Sequence, residues 1–530
     1  MAAFLIDIGY AQWILPALLL IPLLTSVVLW VHGFVAERAL RTGPASDDFA
    51  RWTTFGVFLT MFVLSTGLWW SFEPAGGWQF AVDVPWIPQW GIRFSLALDG
   101  ISIFLILLTT FLMPIAVLSG WTSIDRRVHT YHALFLLMTS GMMGVFMARD
   151  IFLFYVMWEV VLVPMFFIIG VWGGERRLYA AIKFFIYTLV GSLLMLLAIL
   201  YLGLAAADPV TGRPDFAYDS ALAIAATLSG TERFWLFMAF FSAFAVKIPL
   251  FPFHTWLPDA HVEAPTEGSV DLAAILLKMG TYGLLRFSLP LFPDVAFAPL
   301  VRGTIMTLAV VGVVYAALVA LVQTDFKRMV AYSSVSHMGL VVLGIFAMTL
   351  ESMQGAMMVQ LAHGVSSGAL FLMIGMVYDR RHTRQLSSFG GLARVMPVYA
   401  LFLMVAMLSS IAVPGTHGFV GEFLVLVGSF QTYPWLTIIA SSSVILSAVY
   451  ILWAVQRVLF NPLDKPENRN LPDMNWREVA MMVPVAIMIF YLGIHPAPVL
   501  RRMEPRLQEV MLQVEARRIE LTAPTFVEDR

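Results

Sequence analysis

Apolar positions along this chain fall in long blocks separated by short polar breaks. A helix rising 1.5 Å per residue needs about 20 mostly apolar residues to cross a bilayer core. About fourteen blocks meet that length, at 11–31, 52–72, 99–121, 131–148, 150–172, 179–205, 234–256, 266–287, 302–323, 327–349, 354–377, 396–430 (interrupted), 436–460 and 477–495. The pattern predicts an all-α polytopic membrane protein with about 14 transmembrane helices in a single domain spanning 1–530. The longest connection, near 206–233, is polar and carries Pro, Gly and Asp. The tail, 500–530, spaces Leu507, Val510, Met511 and Val514 at helical period. That leaves open a helix on the membrane surface, a helix on a partner, or a solvated tail. Asp7 and no basic segment precede the first block, and no A-x-A-like cleavage site follows it, so it reads as a retained helix and not a signal peptide.

Composition supports lipid as the solvent. The chain has 530 residues, 60% hydrophobic and 12% charged, and a soluble domain carries about twice that charge. A net charge of −2 gives no basic field for nucleic acid. Cysteine is absent, which removes disulfides and every Cys-ligated metal or iron–sulfur centre from this chain. No Gly-rich dinucleotide or phosphate-binding loop follows a strand-like run, and no histidine pair sits at i, i+4 as a metal site prefers. No cofactor or metal is therefore expected here.

Charge asymmetry sets the orientation. Loops after odd-numbered blocks hold roughly 17 Lys/Arg and the other internal loops roughly 6, so the rich set, with Arg126-Arg127, Arg176-Arg177, Lys327-Arg328 and Arg380-Arg381, should be cytoplasmic. Both termini are then expected on the outer side. The arginines of the C-terminal tail are the exception to this rule.

Four ionisable residues interrupt the apolar blocks. Each costs at least about 2.5–3.5 kcal/mol in lipid, so such groups are few, partnered and useful. Glu159 lies about nine residues, roughly 13 Å at helical rise, from either end of its block. Lys247 precedes Pro249 and Pro252, Lys278 sits well inside VDLAAILLKMGTYGLLR, and Glu422 follows the break in SSIAVPGTHGFVGEF. His337 and His363 lie inside apolar blocks, and His254 and His261 flank LFPFHTWLPDAH. A neutral imidazole both donates and accepts, which suits a proton relay and equally an interhelical hydrogen bond. Asp271, seven residues before Lys278, shares its face in a regular helix and is read as a counterion or as an interfacial carboxylate. Gly141 to Gly144 reads as close helix packing.

Prolines at 249 and 252, and the Pro414-Gly415 pair, break the seventh and twelfth blocks. Breaks at membrane depth are tolerated only inside protein or beside a hydrated cavity. Blocks 4–8 (131–287) and 9–13 (302–460) then form two five-helix units with corresponding broken helices. An odd number of spans makes the units inverted repeats, as in transporters.

At these residues the chain resembles a known family. MWEVVLVPMFFIIGVWGG, KIPLFPFHTWLPDAHVEAPTEGSVDLAAILLKMGTYGLLR, YSSVSHMG and VPGTHGFVGEF are similar to the subunit M (mitochondrial chain-4) family of proton-pumping NADH:quinone oxidoreductase, respiratory complex I. The wider group includes the Mrp-type cation/proton antiporter subunits. HTWLPDAH places the chain only in the wider group; HVEAPTEGS followed by LLKMGTYGLLR points to the M type. The resemblance covers most of the chain, most strongly 150–429. It implies that Glu159 pairs with Lys247, that Lys278, His337 and His363 continue a proton relay, and that Glu422 ends it. It implies subunits L and N as neighbours, the bacterial inner membrane as location, and FMN, iron–sulfur clusters and quinone in other subunits. Glu267, where small residues are frequent, and His417 depart from the family pattern. An Mrp-type Na+/H+ antiporter subunit and a membrane-bound hydrogenase subunit share most of these motifs and are the alternatives.

Overall fold

A computed structural model describes residues 2–38 and 43–522. Twelve helices among the described residues are long and apolar enough to cross a membrane. They fall on the predicted blocks; the first runs Tyr10–Arg38 and the last such span Trp476–Ile494. The other two predicted blocks are helix–break–helix. The seventh is Gly230–Lys247, an irregular stretch, then Trp256–Glu263. The twelfth is Pro397–Ser410, a break, then His417–Thr432.

Burial sorts the helices. The apolar windows of Thr266–Leu291 and Leu350–Arg381 are 100% buried and that of Phe326–Ala347 is 94% buried, whereas Tyr10–Ala36, Arg177–Ala205 and Pro434–Phe460 reach only 39%. The first group forms the core, and the second turns apolar side chains such as Leu24, Ile186 and Ile445 outward, as lipid contact requires. Glycines bring the core helices together. A Cβ at Gly280 would stand 2.7 Å from Ile248 and 3.0 Å from the Phe244 carbonyl, and one at Gly364 3.1 Å from the Ala274 carbonyl. Gly141 and Gly144 lie against Met157 and Val161, the close packing expected of that stretch.

The helix that carries Lys278 is not a regular α-helix. Two π-helical segments, Leu272–Leu276 and Leu284–Ser288, interrupt it. Each widens a turn and shifts the angular register of the residues beyond it.

Two elements lie outside the sequence expectations. Residues 72–98, passed over as a connection, fold into an antiparallel hairpin of strands Gln79–Ile87 and Ile92–Leu98. Pro88–Trp90 forms its tip, closed by Gly91 in the left-handed region at φ 67°. The tail is a helix, Ala497–Thr522, beginning three residues earlier than expected. Leu507, Val510 and Val514 of the predicted stripe are buried, and Met511 partly so. Its apolar face rests on this chain's own helices, Leu350–Arg381 and Pro293–Ala296 among them. The tail is therefore an ordered helix with its apolar face on this chain, and not a solvated tail. Residues 523–530 of the tail lie outside the described residues.

Candidate functional site

The breaks expose backbone groups that side chains recover. Where Pro249 and Pro252 end the Gly230–Lys247 helix, the Trp256 indole donates to the Val246 carbonyl at 2.9 Å. Lys247 is the last residue of that helix and 1% exposed, with its ammonium 5.2 Å from the Trp158 ring centre and 5.7 Å from that of Phe184. Glu159, half-buried on Ile151–Trp172, acts on it electrostatically. Among the described residues no ion-pair contact joins the two, and Glu159 Oε1 is buried without a partner. Tyr155 and Ser192 stand beside the carboxylate.

Lys278 is 0% exposed. Its Nζ donates to the Ala273 carbonyl, inside the first π segment, at 2.5 Å and lies 2.7 Å from His363 Nδ1. The His363 ring is 5.8 Å from that of His337, centre to centre, and His337 Nδ1 is 3.0 Å from Glu422 Oε1. Four of the six principal residues therefore form one file: Lys278, His363, His337, Glu422. A cavity of about 20 Å³ between His337, His363, Ser366, Ser409 and Glu422 accompanies its second half, room for about one water. Thr281, one turn beyond Lys278, donates to Gln360 at 2.5 Å. His417, on the broken twelfth block, meets Ser409 of the cavity wall at 3.1 Å, and Ser409 meets Ser366 at 2.8 Å.

The remaining candidates make no hydrogen bond to this file, although His261 lies within electrostatic range of Lys278 and His363. His261 is fully buried, stacked 4.5 Å over Phe371, with neither ring nitrogen partnered. His254 is buried against Phe251 and Tyr315. Asp271 is 0% exposed and neither oxygen has a partner. Its charge acts on Lys247. Among the described residues no ion pair joins Asp271 to Lys278. Spacing of seven aligns two residues only in a regular helix, and the π segment between them moves the register.

Sequence reasoning missed several buried polar groups. Lys327, read as a loop charge, is 6% exposed and donates to the Ala264 carbonyl at 2.6 Å, beside the break before Thr266. Asp99 is 0% exposed just ahead of the Ser102–Ser119 span. Its Oδ2 accepts from Arg286 at 2.6 Å and from Arg506 of the C-terminal helix at 2.7 Å, both guanidiniums lying over Trp78. The two arginines hold the Asp99 carboxyl down at about 2 against its burial. No sequence signal links Asp99 to Arg506, 407 positions away.

A multi-pass helical bundle with broken helices and ionisable groups at its centre defines an antiporter-like membrane protein. The chain belongs to the NADH:quinone oxidoreductase/Mrp antiporter transmembrane family, whose model matches residues 148–447. It is 46% identical over 483 residues to NADH-quinone oxidoreductase subunit M of Rhodobacter capsulatus, covering 90% of this chain and 93% of that one. It is 41% identical over 505 residues to subunit M of Escherichia coli K12, covering 92% and 95%. Its fold matches a chain of respiratory complex I from Thermus thermophilus with TM-score 0.83 and 31% identity, over 94% of this chain and 99% of that one. A chain of the Mrp complex from Dietzia sp. shares the fold alone, with TM-score 0.76 and 21% identity over 95% of this chain and 55% of that one.

Proposed function

We propose that this chain is a proton-translocating membrane subunit of an NADH:quinone oxidoreductase. The observation that carries the reading is the buried file from Lys278 through His363 and His337 to Glu422, with contacts of 2.7 and 3.0 Å at its ends. Identity of 40–46% to subunit M and chain-4 proteins over most of the chain supports the redox pump over the Mrp alternative.

The mechanism follows from the placement of charge. Lys247 has apolar rings around it and Glu159 within electrostatic range. Moving or neutralising that carboxylate changes whether the lysine holds its proton, and the two titrate as a unit. A proton leaving Lys247 passes through water to Lys278, whose ammonium gives a proton to His363 Nδ1. His363 and His337 hand it on, with a water between the rings, and Glu422 receives it at Oε1. Glu422 then releases the proton to the outer side and returns to its anion, the two imidazoles revert to their starting tautomers, and the lysines are left neutral and ready to reload, so the net change is one proton moved. Lifting one charge against 100 mV costs about 2.3 kcal/mol, which quinone reduction supplies through other subunits.

The same reading assigns FMN, iron–sulfur clusters and quinone to those other subunits, and makes L- and N-type membrane subunits the neighbours. It sets the chain in a bacterial inner membrane with both termini periplasmic, and takes 131–287 and 302–460 as inverted repeats. The test is Lys247→Ala and Glu159→Ala in the assembled enzyme, with NADH-driven proton uptake measured in vesicles. Both should lose most uptake while the complex still assembles. Normal uptake with intact assembly would refute the mechanism.

A further inference from the structure

The relay file begins inside the membrane and leaves open how protons reach Lys247. Two carboxylates on the Lys278 helix lie on the route. Glu267 is 1% exposed and its Oε2 has no partner; Asp271, four residues on, is 0% exposed and neither of its oxygens has one. Within Thr266–Asp271, which is regular α-helix, that spacing stacks the two on one face. Carboxylates buried at membrane depth are retained where they carry ions or protons.

Their surroundings make a path. Glu267 lies at the water-facing end of its helix, since Pro265 and Thr266 just before it are partly exposed. Its Oε1 fills the space over Gly120, two and three residues before exposed Thr122 and Ser123. Lys327 and Asp379 act on it from neighbouring helices. The Tyr131 hydroxyl is buried with no hydrogen bond of ordinary geometry, and both carboxylates act on it. Asp271 in turn acts on Lys247.

We propose that Glu267, Tyr131 and Asp271 form the uptake path that carries protons from the Lys/Arg-rich face to Lys247. The proposal rests on the proton-translocating reading of this chain. Glu267 binds a proton from the aqueous end. It passes that proton to the Tyr131 oxygen as the phenol releases its own to Asp271. Asp271 then gives its proton to neutral Lys247. Tyr131 ends unchanged, both carboxylates return to their anions, and one proton has moved.

The test compares Glu267→Gln, Asp271→Asn and Lys247→Ala in the assembled enzyme, measuring NADH-driven proton uptake in vesicles from pH 6 to 9. Gln and Asn keep the side-chain volume, so a purely space-filling role leaves uptake unchanged. Expected is at least a fivefold loss in Glu267→Gln and in Asp271→Asn. The loss should be steepest at high pH, where a collecting carboxylate matters most, and Glu267→Asp should restore at least half of the rate. Uptake within twofold of wild type at every pH in both variants, with Lys247→Ala inactive, overturns this path and leaves the proposed function standing. Normal uptake in Lys247→Ala as well overturns both. If one variant fails to assemble, the other decides.

Discussion

Replacing Asp99 with Asn removes one negative charge and keeps the side chain's shape. In the native chain Asp99 Oδ2 holds Arg286 at 2.6 Å and Arg506 at 2.7 Å, while Oδ1 accepts from the backbone of Ile101 and Ser102 at 3.1 Å each. The two arginine side chains are 2% and 7% exposed. Without Asp99 both guanidiniums stay buried and only Arg506 keeps another carboxylate, Glu509 at 2.6 Å. Breaking a buried pair from one side costs roughly 3–5 kcal/mol.

The depressed carboxyl gives a second scale for the same charge. The carboxyl falls from 3.8 to about 2 on folding, and at 1.36 kcal/mol per pH unit that is worth about 2 kcal/mol. Because the folded value is depressed, this stabilisation is present above pH 3.8 and is lost as pH falls through about 2. Between pH 5 and 9 it should therefore be constant. Arg286 is fixed within its membrane helix, so the loss should fall on Arg506 and the helix it anchors. At about 1.4 kcal/mol per factor of ten, 3–5 kcal/mol predicts that amide exchange across 497–522 speeds up by roughly 10²–10⁴ in Asp99→Asn. Exchange there should not vary with pH beyond its intrinsic chemistry. Exchange within threefold of wild type would show that the apolar face alone holds the helix, and the charge argument would be wrong.

Two further outcomes bear on the relay. Glu422→Gln keeps a hydrogen-bond acceptor 3.0 Å from His337 but removes the charge. NADH-driven turnover and pumping should drop at least fivefold while subunit content on a native gel stays normal, and unaltered pumping removes Glu422 from the path. Gly421→Ala would set a Cβ 2.6 Å from the Val359 nitrogen. That overpacking costs about 1–3 kcal/mol and moves Glu422 away from His337, so the melting temperature of the purified complex and its pumping should fall together; a normal melt with normal pumping contradicts the close approach.

Much of the architecture was legible because its signals are local. Block length against bilayer thickness, a proline's missing donor and the cost of a charge in lipid act within a few residues. The blocks, the two breaks and Glu159, Lys247, Lys278 and Glu422 could thus be read along the chain. The amphipathic tail was legible as a helix because its stripe has a 3.6-residue period, but the stripe does not say what it covers. The hairpin was missed because strand Gln79–Ile87 has Phe80 as its one buried residue, which leaves little alternation to detect.

Which charges meet was decided only by the tertiary structure. Lys278 and His363 are 85 positions apart on different helices, and glycine contacts such as Gly364 on Ala274 set their distance. Asp271 shows the same limit within one helix. Sequence spacing left it as a counterion of Lys278 or an interfacial carboxylate; in the fold a π segment, which depends on how the backbone packs against its neighbours, separates it from Lys278, and its charge acts on Lys247. The sequence by itself determined that this is a membrane protein with costly groups at its centre, since the transfer of each residue from water to lipid depends on that residue and its immediate neighbours. The order of those groups into a file belongs to the folded bundle, because distances between helices are set by side chains far apart in the chain.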